Sequence, residues 1–97
     1  MSDTDRRYEI RHSAAVSQNV RDLHQQAARR GKVKAFRSAY NLLLQRLEIE
    51  PDMVGEPRYR LKPTRMKMCC VVLRPLVMDF AISEDSPMVF IKGVRLL

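Results

Sequence analysis

Six basic residues fill a window of the sequence that contains no aspartate or glutamate. The window lies between Glu56 and Asp79, and its cations are Arg58, Arg60, Lys62, Arg65, Lys67 and Arg74. Alternate side chains of a strand share one face and stand about 6.5–7 Å apart, which approximates the spacing of phosphates along a nucleic acid strand. The window therefore predicts a row of cations that binds a phosphodiester backbone or stabilises the charge developing during its cleavage.

A solvated sheet face is the alternative interpretation of this window. A sheet with helices on one side exposes its other side to water, and Lys and Arg suit such a surface. Simple alternation would place Arg58, Arg60 and Lys62 on one face, and would likewise let Arg65 and Lys67 share a face. A merely solvated face would normally mix charges of both signs, which favours the binding interpretation.

A second window without acidic residues runs from Leu23 to Leu47. Its cations mostly bracket Gly31, and they are Arg29, Arg30, Lys32, Lys34, Arg37 and Arg46. Positive charge at a helix C-terminus is favoured by the helix dipole, which accounts for Arg29 and Arg30 without any ligand. The functional interpretation is contact with phosphate or with an acidic partner.

Histidine and cysteine give no sign of metal or nucleophilic chemistry. His12 and His24 lack a Cys, Asp or second His at metal-ligand spacing, so we expect no metal site. The adjacent Cys69 and Cys70 point to opposite faces of a strand and are expected to be reduced thiols. No glycine-rich phosphate loop, nucleophile elbow or paired-carboxylate motif is present, and no cofactor is expected.

Composition limits the class of protein that must position these side chains. The chain has 97 residues, 45% of them hydrophobic, and a formal net charge of +7, which attracts polyanions or acidic proteins. This length fits one two-layer domain, predicted over residues 8–97 after a disordered tail of residues 1–7, and excludes large-enzyme architectures. The sequence contains no apparent secretory signal and no membrane span, so a cytoplasmic location is expected.

Hydrophobic spacing predicts two helices after a short strand at Tyr8–Arg11. Ser13 is a good helix N-cap, Gly31 a stop, and Pro51 forbids continuation of the second helix. The apolar stripes that define the two helices are Val16, Val20, Leu23 and Ala27, followed by Phe36, Tyr40, Leu43, Leu44 and Leu47.

After Pro51 the hydrophobic period changes to two, which is typical of strands. We expect a turn at Gly55–Pro57, turns at Pro63–Thr64 and Arg74–Pro75, and a polar loop at Ser83–Pro87. The strands between them present Leu76, Met78, Phe80 and Ile82 inward and end with Met88–Ile91. Short connections require antiparallel pairing, so the sequence predicts an α+β two-layer fold with both helices on one face of a curved, mostly antiparallel sheet. The final strand, if at an edge, would offer a pairing surface.

This arrangement resembles the RelE/ParE superfamily of bacterial toxin proteins. The resemblance spans nearly the whole chain and is carried by Tyr8–Arg11, Glu50–Pro51, Gly55–Leu61, Leu76–Ile82 and Val89–Arg95. It implies a strand, a helical hairpin and a curved sheet. It also implies a toxin of a toxin–antitoxin pair, with an antitoxin protein as a partner.

The ribonuclease branch of this superfamily implies metal-free cleavage of mRNA on the ribosome by strand-borne cations. Carried over residue by residue, the catalytic set is Arg65, Lys67, Arg74 and Arg95. The residues expected to contact the nucleic acid backbone are Arg58, Arg60, Lys62 and Lys92. The branch also uses a C-terminal aromatic or histidine acid/base, which supplies about 10²–10⁴-fold in rate, and here the chain ends Arg95-Leu96-Leu97.

Two further interpretations remain open. The gyrase-inhibiting branch of the superfamily acts on a protein and cleaves no RNA, and it needs no terminal acid/base. A non-toxic, stand-alone interaction module would keep the same scaffold and bind another partner. None of these interpretations involves a membrane.

Overall fold

Eight elements follow one another in the computed structural model, which describes residues 7–61 and 63–97. They are β1 (Glu9–His12), α1 (Ala14–Arg29), α2 (Val33–Ile49), α3 (Pro51–Val54), β2 (Glu56–Leu61), β3 (Met66–Leu73), β4 (Leu76–Ser83) and β5 (Met88–Leu96). The predicted α+β class is confirmed. Residues 1–6 of the expected tail and Lys62 lie outside the described residues.

The five strands form one mixed sheet in the order β1-β5-β4-β3-β2. The four consecutive strands β2 to β5 pair antiparallel, as their short connections require. β1 pairs parallel with β5, which is possible because the intervening chain, three helices and three strands, is far longer than the crossover that parallel neighbours need. β5 is therefore not an edge strand, and the edges of the sheet are β1 and β2.

The helical hairpin begins and ends where local chemistry dictates. Ser13 accepts a hydrogen bond from the Val16 backbone N–H at 3.2 Å and caps α1. At the other end Gly31 adopts a left-handed φ of 70°, and the backbone N–H of Lys32 donates to the Ala27 carbonyl at 2.7 Å. This bond, with one from Gly31 to Ala28, satisfies the last carbonyls of α1 and turns the chain into α2.

The core lies between the helices and one face of the sheet. Phe36, Leu43 and Leu47 of α2 are buried in one cluster with alternate residues of the strands, including Phe80 and Ile91. Leu76, Met78 and Ile82 belong to the same cluster, which confirms the predicted inward face of β4. We call this the helix-facing side of the sheet and the opposite surface the helix-free side. Of the helices within the described residues, none has both the length and the apolar character needed to cross a membrane.

The structure confirms that Pro51 ends the second helix, but the turn predicted at Gly55–Pro57 needs correction. Pro51 does end α2, but it also opens the one-turn helix α3, where its missing N–H is not needed. Glu56 and Pro57, expected in a turn, begin β2. Gly55 allows this entry, because a Cβ there would lie 2.8 Å from the Cys70 carbonyl oxygen and 3.0 Å from the Phe80 ring.

Two bulges interrupt the pairing at basic residues. Pairing of β2 with β3 skips Arg58, and pairing of β5 with β4 skips Lys92. The second bulge lets both Ile91 and Val94 reach the core although they are three residues apart. The first breaks the strict alternation on which a shared face for Arg58 and Arg60 was predicted.

Candidate nucleic-acid interface

Lys67 projects from β3 on the helix-facing side of the sheet. It precedes the buried Cys69 by two residues, and its Nζ donates to the Asp52 carboxylate of α3 at 2.8 Å. That hydrogen bond, opposed in part by burial, raises the pKa of Lys67 above its usual value. The ammonium group is therefore charged at neutral pH but already engaged by a carboxylate.

Arg60 is engaged in a similar way beside Lys67. The two residues pair across β2 and β3, and the Arg60 guanidinium lies 3.2 Å from the Glu84 carboxylate. Tyr8 joins these two ion pairs around an open polar cavity of about 360 Å³. Each cation facing this cavity has an acidic neighbour, which reduces the attraction for a phosphate.

Arg65 does not share a strand face with Lys67, contrary to the prediction from alternation. It lies in the turn before β3 with a left-handed φ of 53°, and its carbonyl accepts a hydrogen bond from the Glu84 N–H. Its guanidinium points to Asp85 at 3.3 Å. The turn that connects β2 to β3, and lets these two strands pair antiparallel, takes Arg65 out of the strand.

Arg95 lies on the helix-free side, opposite to Lys67. Its neighbour Val94 packs into the core, and the Arg95 guanidinium donates to the Asp79 carboxylate at 3.3 Å. Arg74 is exposed in the turn between β3 and β4, and Lys92 lies 5.9 Å from the centre of the Phe90 ring. The expected convergence of Arg65, Lys67, Arg74 and Arg95 on one surface is therefore wrong.

The helical hairpin carries cations of a different kind. Arg29, Arg30, Lys32, Lys34 and Arg37 surround the turn at Gly31, and all of them are exposed. Among the residues that the structure describes, none of the five lies within ion-pair distance of a carboxylate. We call this group the hairpin patch.

Most of the net positive charge of the chain comes from the second acid-free window, which spans the turn of the hairpin. The window from Leu23 to Leu47 holds six of the eighteen Lys and Arg residues and no acid, which leaves twelve cations against eleven carboxylates elsewhere. Six of the seven net positive charges thus lie within this window. A field concentrated in this way attracts a polyanion to one end of the molecule.

Three members of the patch stand near the N-terminal end of α2, where helix electrostatics oppose the first two. Lys32 is the N-cap of α2, Lys34 lies in its first turn and Arg37 follows in the next, and no acidic residue occupies that first turn. Positive charge near a helix N-terminus costs about 0.3–1 kcal/mol per residue at low ionic strength. The dipole explains Arg29 and Arg30 at the end of α1, but it does not explain these three cations.

The remaining reactive side chains are structural. Cys69 and Cys70 are buried free thiols, and burial raises the pKa of Cys69. Within residues 7–61 and 63–97, no three His, Cys, Asp or Glu side chains lie close enough together to hold a metal ion. His24 packs edge-on against Phe36 on the hairpin, with ring centres 6.2 Å apart.

No protein-family model matches the sequence, and no curated protein matches it.

Proposed function

We propose that this chain is a toxin-type protein with a RelE/ParE-like fold that binds RNA of the translation machinery through the hairpin patch. The order of a strand, a helical hairpin and four antiparallel strands supports the fold. The exposed cations of the hairpin patch, which form no ion pairs among the described residues, support RNA binding. Phosphates provide most of the affinity when cations bind nucleic acid, and unpaired exposed cations are the groups that release counterions.

Binding rather than cleavage is proposed because the strand cations are dispersed. Lys67 and Arg95 project from opposite sides of the sheet, and Arg65 lies in a turn. Each of the three faces a carboxylate within 3.3 Å. Cleavage would require these groups to surround one phosphate and to move a proton.

Salt-dependent RNA binding tests the proposal with a charge-matched pair of variants. The first variant is Lys32→Gln/Lys34→Gln/Arg37→Gln, and the control is Arg60→Gln/Arg65→Gln/Arg95→Gln, which removes the same charge from paired sites. Affinity for a fluorescent single-stranded RNA is measured against salt concentration. We expect the first variant to flatten the slope of log K against log salt by about 2, since each lost phosphate contact contributes about 0.7. Equal losses in both variants would mean that net charge alone matters and would contradict the proposal.

A second assay decides whether RNA is also cut. Ribosome-bound mRNA is incubated with the protein in the presence of a chelator, using the wild type and Arg65→Ala/Lys67→Ala. We expect intact RNA in both. A product ending in a cyclic phosphate that disappears in the variant would show that the strand cations are catalytic.

A protein target is the second candidate, favoured by apolar side chains on the surface of the sheet. Val72 and Tyr59 are more than half exposed, and Met53 of α3 is 79% exposed. Such a protein would inhibit gyrase or bind an acidic antitoxin, as the ParE-like branch implies. Growth arrest on expression, with inhibited supercoiling and intact RNA, would select this candidate over RNA binding.

A further inference from the structure

Three residues of β3 extend beyond the start of β2 and leave part of the sheet edge without a neighbouring strand. β2 begins with Glu56 opposite Cys70, whereas β3 continues through Val71–Leu73, which pair with β4. In the described part of the chain, no other backbone hydrogen bond reaches these three residues. The edge of β3 is therefore open here.

Val72 is the residue whose backbone groups face the open edge. The Cys70 carbonyl oxygen lies on the β2 side, where Gly55 approaches it closely. Backbone groups two residues apart on an antiparallel strand point to the same side, so the N–H and C=O of Val72 also point out of the sheet. An incoming strand would find a donor and an acceptor at this position.

This edge lacks the protection that the other edges have. Natural sheets guard their edges with charged side chains, proline and bulges. β1 presents Glu9 and Arg11, and β2 presents Pro57 and a bulge at Arg58. Val72 is instead apolar and 56% exposed.

A groove lined by three valines borders the open edge, and an arginine lines each of its two concavities. Two concavities of about 220 and 280 Å³ share Val54, Val71 and Val72 as lining residues. Arg46 of α2 lines the first and Arg58 lines the second. Neither cation forms an ion pair among the described residues, and Glu56 is the one acidic residue that lines either concavity. We call this surface the edge groove.

We infer that the edge groove binds an extended segment of an acidic partner protein, which adds a strand to the sheet beside Val72. Alternate apolar side chains of the segment pack against Val54 and Val71, and acidic residues at its two ends meet Arg46 and Arg58. The charge of the rim and of the whole chain selects an acidic partner over a basic one. This inference deepens the protein-binding candidate and does not rest on RNA binding, because Arg46 lies roughly 18 Å along α2 from Lys34.

Two synthetic peptides of about eight residues test the inference, because a strand of that length spans the groove. Both carry valine at alternate positions, one with glutamate at each end and the other with lysine. Each is titrated into the full chain labelled with ¹⁵N, and the backbone amide shifts are followed. We expect the acidic peptide to shift the amides of Val71–Arg74, to slow hydrogen exchange at Val72, and to bind about tenfold more tightly than the basic peptide.

Three single substitutions distinguish strand pairing at the β3 edge from nonspecific peptide binding. Val72→Lys places a charge at the open edge, as natural edge strands do, and should lower the affinity for the acidic peptide at least tenfold. Arg46→Glu should reverse the preference between the two peptides. Tyr59→Lys, an equally exposed change on the neighbouring strand, should leave binding within about twofold.

The amide spectrum of each variant first establishes that it is folded. Equal binding of both peptides, or acidic-peptide binding that survives Val72→Lys, would overturn the inference. A concentration-dependent dimer abolished by Val72→Lys, with no peptide bound, would also overturn it and assign the edge to self-association.

Discussion

Carboxylates from outside the acid-free window between Glu56 and Asp79 form ion pairs with several of its cations. Asp52 precedes the window, and Asp79, Glu84 and Asp85 follow it. The fold brings three of these carboxylates against cations of the window, and it brings Asp79 against Arg95, which lies outside the window. The sequence predicts which side chains are basic, but their partners depend on the register between strands distant along the chain. An acid-free stretch of sequence is therefore not an acid-free surface.

The Lys67–Asp52 pair makes a pH-dependent contribution to stability. Because folding raises the pKa of Lys67, the stabilisation is complete below the ordinary lysine value of 10.5 and is lost as pH rises through the raised value. Lys67→Met should lower the free energy of unfolding by about 0.5 kcal/mol at neutral pH and by less at high pH. Urea unfolding of both proteins at pH 7 and at roughly pH 12 measures the difference. A deficit that persists at high pH would mean that packing, not charge, explains the effect.

Gly55 leaves room for the backbone to pass close to β3 and Phe80 as it enters β2. Alanine substitutions at Gly55 and at Gly93 test this role. Gly55→Ala should destabilise the fold by about 1–3 kcal/mol, because the new methyl group meets the Cys70 carbonyl and the Phe80 ring. Gly93→Ala is the matched control, since a Cβ there has no neighbour within 4 Å. Thermal unfolding should show a large loss for the first variant and little change for the second. Similar melting temperatures would refute the close approach.

Elements with local signals were predictable, and elements set by distant pairing were not. The spacing of Val16, Leu23 and Ala27 and the stop at Gly31 are local, so α1 follows from the sequence. The parallel pairing of β1 with β5 joins residues nearly eighty positions apart, as in Ile10 and Val89, and no local pattern records it. The sequence indicated the hairpin patch as a run of cations without acidic residues. Only the structure shows that these cations are exposed and, among the described residues, form no ion pairs.

The start of α2 illustrates a conflict between local stability and charge. Replacing Lys32, Lys34 and Arg37 by Gln removes positive charge from the N-terminal end of the helix, so stability should rise by about 1 kcal/mol at low salt. The gain should shrink as salt is added, since exposed charges are screened. Arg29→Gln/Arg30→Gln at the end of α1 should change stability in the opposite direction. Chemical unfolding at two salt concentrations compares the variants, and equal effects at both helix ends would rule out the dipole explanation.

The whole molecule is a sheet whose centre and edges differ in stability. β4 and β5 each have neighbours on both sides and carry many of the buried residues, whereas β1 and β2 form the edges. We expect amide hydrogen exchange to be slowest at residues such as Phe80 and Ile91 and fastest in β2. Exchange measured by NMR under native conditions checks this order. Protection in β2 equal to that in β4 would indicate that the sheet opens as a single unit.

The parallel pairing of Glu9–His12 with Met88–Ile91 has a consequence for biosynthesis. As the nascent chain emerges, the first strand has no partner until the last one has also been made. A chain interrupted after β4 but before β5 leaves both β1 and one edge of β4 without a neighbouring strand, and such open edges favour aggregation.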